Sequence, residues 1–236
     1  MPERSGLVPT DPTSEPDGGG DRSVARRPDP GRRDRIIDAC LDVVAADGVA
    51  GTSHRKVAAA AGVPLGSMTY HFTGIDDLLH EAFTRFADRV ADGFDLRMHR
   101  AGDRAAARRA VVALIVEDVF AERRDLAVTL ELYALAARRP AYRAITDAWM
   151  ARSRTALGVH FTPEEATQLD ALVEGLTLHR ALSLRAPGGS DTGDPADTTD
   201  TAAVTRAVER VTAGVPEVSR TGGRLRRRRW GRDNGG

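Results

Sequence analysis

Apolar positions recur at helical spacing from Arg32 onward. Ile36, Ile37, Cys40, Leu41 and Val44 form one stripe, which Asp47-Gly48 ends, Gly48 being suited to a left-handed cap. A shorter helix follows, capped by Thr52 or Ser53, with Val57, Ala58 and Ala61 on its inner face and Gly62 as its break. Pro64 can open a third short helix, Leu65 to about Tyr70, because its missing N–H would be unbonded at a helix start anyway. Met68 and Phe72 point inward from it. Thr73, with Asp76 three residues on, predicts the start of a fourth helix whose stripe is Ile75, Leu79, Ala82, Phe83, Phe86 and Val90.

The pattern stays helical to about residue 213. Residues 103–122 and 124–138 read as two helices, and Arg139-Pro140 interrupts the pattern before a third over 141–158. Thr162-Pro163-Glu164-Glu165 is a helix start with cap, proline and first-turn acids, opening a helix to about Leu184. A Gly/Asp/Thr/Pro linker spans 186–198, and a last helix spans about 199–213. No strand pattern and no repeat at solenoid periods is seen. The fold class expected is all-α, in four parts: a disordered arm 1–30, a helix-turn-helix domain 31–80, a helical domain 81–213 and a disordered basic tail 214–236.

Composition changes this picture little. Hydrophobic residues make up 41% of the 236 residues, enough for a core, while aromatics are only 5%, so Leu, Val, Ile and Ala must fill it. Formal net charge is zero and gives no hint of nucleic acid; the basic run Arg224 to Arg229 is confined to the tail. One cysteine, Cys40, excludes an intrachain disulfide and sits on an apolar stripe, where it reads as a small core residue. No stretch approaches the ~18 apolar residues of a membrane span, so a cytoplasmic protein without membrane contact is expected. The six histidines show no metal-ligand spacing. A Gly-rich phosphate loop and a nucleophile–base set are both missing, which argues against an enzyme and against a bound metal or cofactor.

The segment Thr52 to Phe72, TSHRKVAAAAGVPLGSMTYHF, carries the functional signal. Two short helices joined at a glycine turn suit the major groove of duplex DNA. The second offers few residues to a core and leaves Leu65, Ser67, Thr69, Tyr70 and His71 outside, with Gly66 allowing close backbone approach.

On these residues, with Arg35-Ile36-Ile37, Ala39, Gly48, Thr52-Ser53, Arg55, Val57-Ala58, Ala61-Gly62-Val63, Gly66-Ser67-Met68, Phe72 and Leu78, residues 32–80 resemble the N-terminal domain of the tetracycline-repressor (TetR) family of transcriptional regulators. The resemblance implies about nine helices, a homodimer, an N-terminal DNA-binding domain and a C-terminal domain for a small-molecule effector. It assigns Ser53 and Arg55 to phosphates or a base edge, Leu65, Gly66, Ser67 and Thr69 to the groove, and Tyr70 and His71 to phosphates. Thr69 stands where the family often has Tyr, and Ile75 where it often has a phosphate-binding Lys. The loss of that Lys implies a salt dependence shallower by about one unit.

The helix 164–184 is apolar around most of its circumference and must be covered on two sides. A second copy of the same helix, with 199–213, is the expected cover, placing Leu169, Leu172, Val173 and Leu176 in a twofold interface; the alternative is burial wholly within one chain. Polar and aromatic groups within apolar helices, Glu131, Tyr133, Trp149 and His179, are the expected effector contacts. The expected function is repression from a near-palindromic duplex operator, relieved by an effector. The alternative is a small-molecule- or partner-binding helical protein with secondary DNA contacts.

Overall fold

The computed structural model describes residues 29–118, 123–183 and 201–213. The expected arm (to residue 28), Val119 and Phe120, Leu184, the 186–198 linker and the basic tail lie outside them. Among the described residues there are nine α-helices and no strand: α1 Arg32–Gly51, α2 His54–Ala60, α3 Gly66–His71, α4 Ile75–Arg100, α5 Arg104–Ala113, α6 Arg123–Ala136, α7 Pro140–Leu157, α8 Pro163–Ser183 and α9 Thr201–Thr212. A single π-helical turn, Leu114–Asp118, continues α5. No described helix is long and apolar enough to cross a membrane.

Local chemistry sets the helix starts. Ser53 Oγ accepts the Lys56 N–H at the head of α2, and Asp103 Oδ1 accepts the Ala106 N–H at the head of α5. At α8 the expected start is a reciprocal box: Thr162 N–H donates to Glu165 Oε2 at 2.9 Å, and Glu165 N–H to Thr162 Oγ1 at 3.3 Å. Two local expectations shift. The N-cap of α4 is Gly74, without a side-chain bond, and it is Asp77 rather than Asp76 that reaches back to Thr73, accepting its N–H at 2.9 Å and its hydroxyl at 3.1 Å. Those bonds favour the carboxylate and hold Asp77 below the usual range. At Gly48 the backbone turns to φ 71, ψ 170, an extended positive-φ region reached almost only by glycine, rather than the αL cap.

Two apolar clusters hold the helices. The first joins Ile36, Ile37, Cys40 and Val44 of α1, Val57 of α2 and Met68 of α3 to Phe83 and Phe86 of α4, Val128 and Leu132 of α6, and Tyr142 and Ile145 of α7. The second joins Phe94 and Met98 of α4 to Val111 of α5, Leu157 of α7, Leu169 of α8, and Val204 and Val208 of α9. The division expected at residue 80 falls inside α4, and the first cluster runs across it, so the helix-turn-helix is packed directly on the helices that follow.

Candidate nucleic-acid interface and ligand cavity

The α2–α3 unit is built around a tight turn. Gly62 takes φ 63, and the Gly62 and Val63 N–H groups donate back to Ala59 O and Ala58 O at 3.2 and 3.0 Å. Val57, Met68 and Phe72 are buried beneath it, with relative exposures of 0%, 0% and 3%. Arg33 stacks on the Phe72 ring at 5.2 Å and forms a bidentate pair with Glu81, so it ties α1 to the end of α3 and to α4.

What α3 leaves outside is unusual for a helix of this length. Leu65 is 53% and Tyr70 84% exposed. Gly66 and Thr69 are exposed beside them, His71 is half-buried, and the Tyr70 and His71 rings meet edge-on at 4.9 Å. Among the described residues, nothing beyond its chain neighbours and its own helix backbone lies within 4 Å of where a Cβ on Gly66 would stand, so packing against them does not require glycine there. Ser53 and Arg55 are exposed on α2, and Lys56 is paired with Asp47 at 2.7 Å. One expected groove residue is misplaced: Ser67 is only 9% exposed and belongs to the inner side of α3. Thr69 spends its hydroxyl proton on Gly66 O at 3.2 Å, leaving acceptor capacity outward.

A cavity opens between α4, the π-turn, α6, α7 and α8. Its apolar wall is Val90, Phe94, Leu114, Met150 and Val173; Tyr133 and Trp149 stand 6.4 Å apart, ring centre to ring centre; and Asp170, Glu174, Ser153 and Thr177 supply polar groups. Two of the four expected effector contacts, Tyr133 and Trp149, therefore line it. Burial, reinforced by the Glu174 carboxylate with which it hydrogen-bonds, pushes the Tyr133 hydroxyl well above the usual phenol range and keeps it protonated. Asp170 is paired with Arg154 at 3.1 Å.

The other two expected contacts are elsewhere. Glu131 points away from the cavity to the end of α1, where Oε2 accepts the Val49 N–H at 3.0 Å. His179 lies exposed on α8 and does not line the cavity. Leu169, expected at a dimer contact, is fully enclosed by its own chain, and Val173 lines the cavity; Leu172 and Leu176 are partly buried against the second cluster. The acids Asp170 and Glu174 escaped the sequence reading, although two carboxylates one turn apart in the most apolar helix are a visible signal.

Residues 36–82 match the family model for bacterial regulatory proteins of the tetR family, and residues 102–214 match that for the tetracyclin repressor-like C-terminal domain. Among solved structures, the transcriptional regulator assigned as SCO7518 of Streptomyces coelicolor A3(2) is 52% identical with a TM-score of 0.68, over 78% of this chain and 100% of that one. The chain belongs to the TetR family. A further TetR family member, SCO1917 of Streptomyces coelicolor A3, is 32% identical with a TM-score of 0.62, over 77% of this chain and 98% of that one. The multidrug-binding protein EbrR in complex with ethidium is 33% identical with a TM-score of 0.61, over 78% of this chain and 99% of that one. No curated protein matches the chain. As a TetR-family transcriptional regulator, the protein has an N-terminal helix-turn-helix domain, whose family match takes in α2 and α3, and a C-terminal helical domain, whose match begins at residue 102.

Proposed function

We propose that this TetR-family regulator binds a near-palindromic duplex operator as a homodimer, acting as a repressor in the bacterial cytoplasm, and that a small molecule in the α4–α8 cavity releases it. The observation that carries the DNA reading is the outward face of α3. Leu65 and Tyr70 remain solvent-exposed although Met68 and Phe72 of the same unit are fully enclosed. A duplex would cover that face: Leu65 can meet a thymine methyl, Thr69 a base or phosphate, and Tyr70, His71, Ser53 and Arg55 the flanking phosphates.

Effector release is supported by the path of α6. Tyr133 lines the cavity, while Glu131, two residues earlier, bonds the backbone where α1 turns toward α2. A ligand that displaces Tyr133 prefers a different setting of α6, and that preference is what shifts the DNA-binding equilibrium. EbrR, with the same overall helical arrangement, is a multidrug-binding protein seen with ethidium, proflavin and malachite green. For the dimer, Leu172 and Leu176 of α8 and the half-exposed Leu182 are apolar groups that a twofold partner can cover.

The test is selection of bound fragments from the source genome by the purified protein at physiological salt, followed by footprinting. A protected site with twofold-related halves one helical turn or a multiple apart is expected. Uniform, sequence-independent binding that vanishes with salt would overturn the reading.

A further inference from the structure

The cavity lining contains two carboxylates, Asp170 and Glu174, and no Lys, Arg or His among the described residues. The two acids are not equivalent. Asp170 already has a counterion in Arg154, at 3.1 Å. Glu174 has no described cation beside it; its partner is the neutral Tyr133 hydroxyl, which burial and the carboxylate itself keep protonated. Glu174 shares the cavity lining with Phe94, Tyr133 and Trp149, and the partner shown for it there is a neutral donor, so a cation in the cavity would add the charge partner that it lacks among the described residues. Beside it, Tyr133 and Trp149 present two ring surfaces inclined at 37° with centres 6.4 Å apart. Ring faces carry negative electrostatic potential, so aromatic walls and carboxylate favour the same charge in a ligand.

We infer that the effector is an aromatic organic cation, and that Glu174 is the residue that selects its charge. This rests on the reading of the cavity as the effector site. The apolar wall of Val90, Phe94 and Leu114 takes the flat body of the ligand. Tyr133 and Trp149 take its π-surface, and Glu174 faces its positive nitrogen. An anion of the same shape meets two carboxylates and is rejected; a neutral analogue leaves Glu174 as it is in the empty cavity and gains only the apolar contact.

The experiment compares two ligands of one shape, N-methylacridinium and 9-methylanthracene, by fluorescence titration of the full-length protein. The cation is expected to bind about tenfold or more tightly than its neutral isostere. Glu174→Gln, which keeps an acceptor for Tyr133, is expected to bring the ratio below about threefold while leaving 9-methylanthracene affinity unchanged. Asp170→Asn should keep most of the discrimination, and Glu164→Gln, exposed on the same helix outside the cavity, should keep all of it. Equal affinities in the unsubstituted protein, no binding of the cation, or a ratio undiminished in Glu174→Gln would each overturn the inference. Operator release is read separately by mobility shift. A cation bound with Glu174-dependent preference that leaves the operator complex intact supports the charge selection and overturns the effector role.

Discussion

Glu131 and Val49 are 82 residues apart in sequence and joined by one hydrogen bond, the Val49 N–H donating to Glu131 Oε2 at 3.0 Å. The bond lies where α1 breaks at Gly48, so a side chain of α6 satisfies a backbone donor at the entrance to the helix-turn-helix. Glu131→Ala removes the acceptor and leaves that donor partly buried and unpaired, which costs about 1–2 kcal/mol. Thermal unfolding should show the loss, and Glu131→Gln, which retains an acceptor oxygen, should recover most of it. Equal melting temperatures for Glu131→Ala and the unsubstituted protein would refute a role for this bond in stability.

Gly48 tests the same junction from the other side. A Cβ there would lie 3.0 Å from Glu131 Oε1, at a φ of +71° that L-residues rarely adopt. Gly48→Ala is expected to destabilise the fold by about 1–3 kcal/mol. Denaturant titration checks it; a midpoint unchanged from the unsubstituted protein would mean that the turn relaxes freely.

Arg55 is exposed on α2 and forms no ion pair with another described residue, so its charge is available for a phosphate. Arg55→Ala should weaken operator binding, flatten the plot of log affinity against log salt by about one unit, and leave oligomeric state unchanged. An unaltered salt slope would remove Arg55 from the interface.

Leu169 and Leu176 separate core from partner surface on one helix. Leu169 is completely enclosed, and Leu169→Ala should cost about 2–5 kcal/mol in stability without changing the subunit count. Leu176→Glu should instead shift the protein toward monomer in sedimentation experiments. A Leu176→Glu protein with undiminished dimerisation would move the interface elsewhere.

Burial pushes the Cys40 thiol from 9.0 up to about 12. The folded state therefore holds its proton more tightly than the unfolded chain does, and the stability this contributes is complete below pH 9 and is lost as pH rises toward 12. In the native protein at pH 8, Cys40 should resist a thiol reagent that modifies it rapidly after denaturation. Fast labelling of the native form would show that α1 opens locally.

Much of this was written in the order of residues. The helices follow from local periodicity and from caps such as Thr162 with Glu165, because those forces act within a turn of the chain and need no partner elsewhere. Thr52 to Phe72 was legible for the same reason: Gly62, Met68 and Phe72 specify the turn and inner face, and Leu65 and Tyr70 remain outside. Tyr133 and Trp149, legible as aromatics interrupting apolar stripes, line the cavity.

Which face of a long helix meets what was a tertiary decision. Ser67 turned inward because α3 is anchored at Met68 and Phe72, and a rotation of one residue decides whether a small hydroxyl is covered. Glu131 turned to α1 instead of the cavity, His179 to solvent, and Leu169 into its own core, because α6 and α8 are apolar on several sides and periodicity cannot rank those sides. The sequence by itself determined the helices and the DNA-facing unit, through interactions a few residues long. Only packing decided that Glu174 shares a cavity with Tyr133 and that Glu131 reaches Val49, since both depend on where helices distant in the chain are brought together by burial of apolar surface.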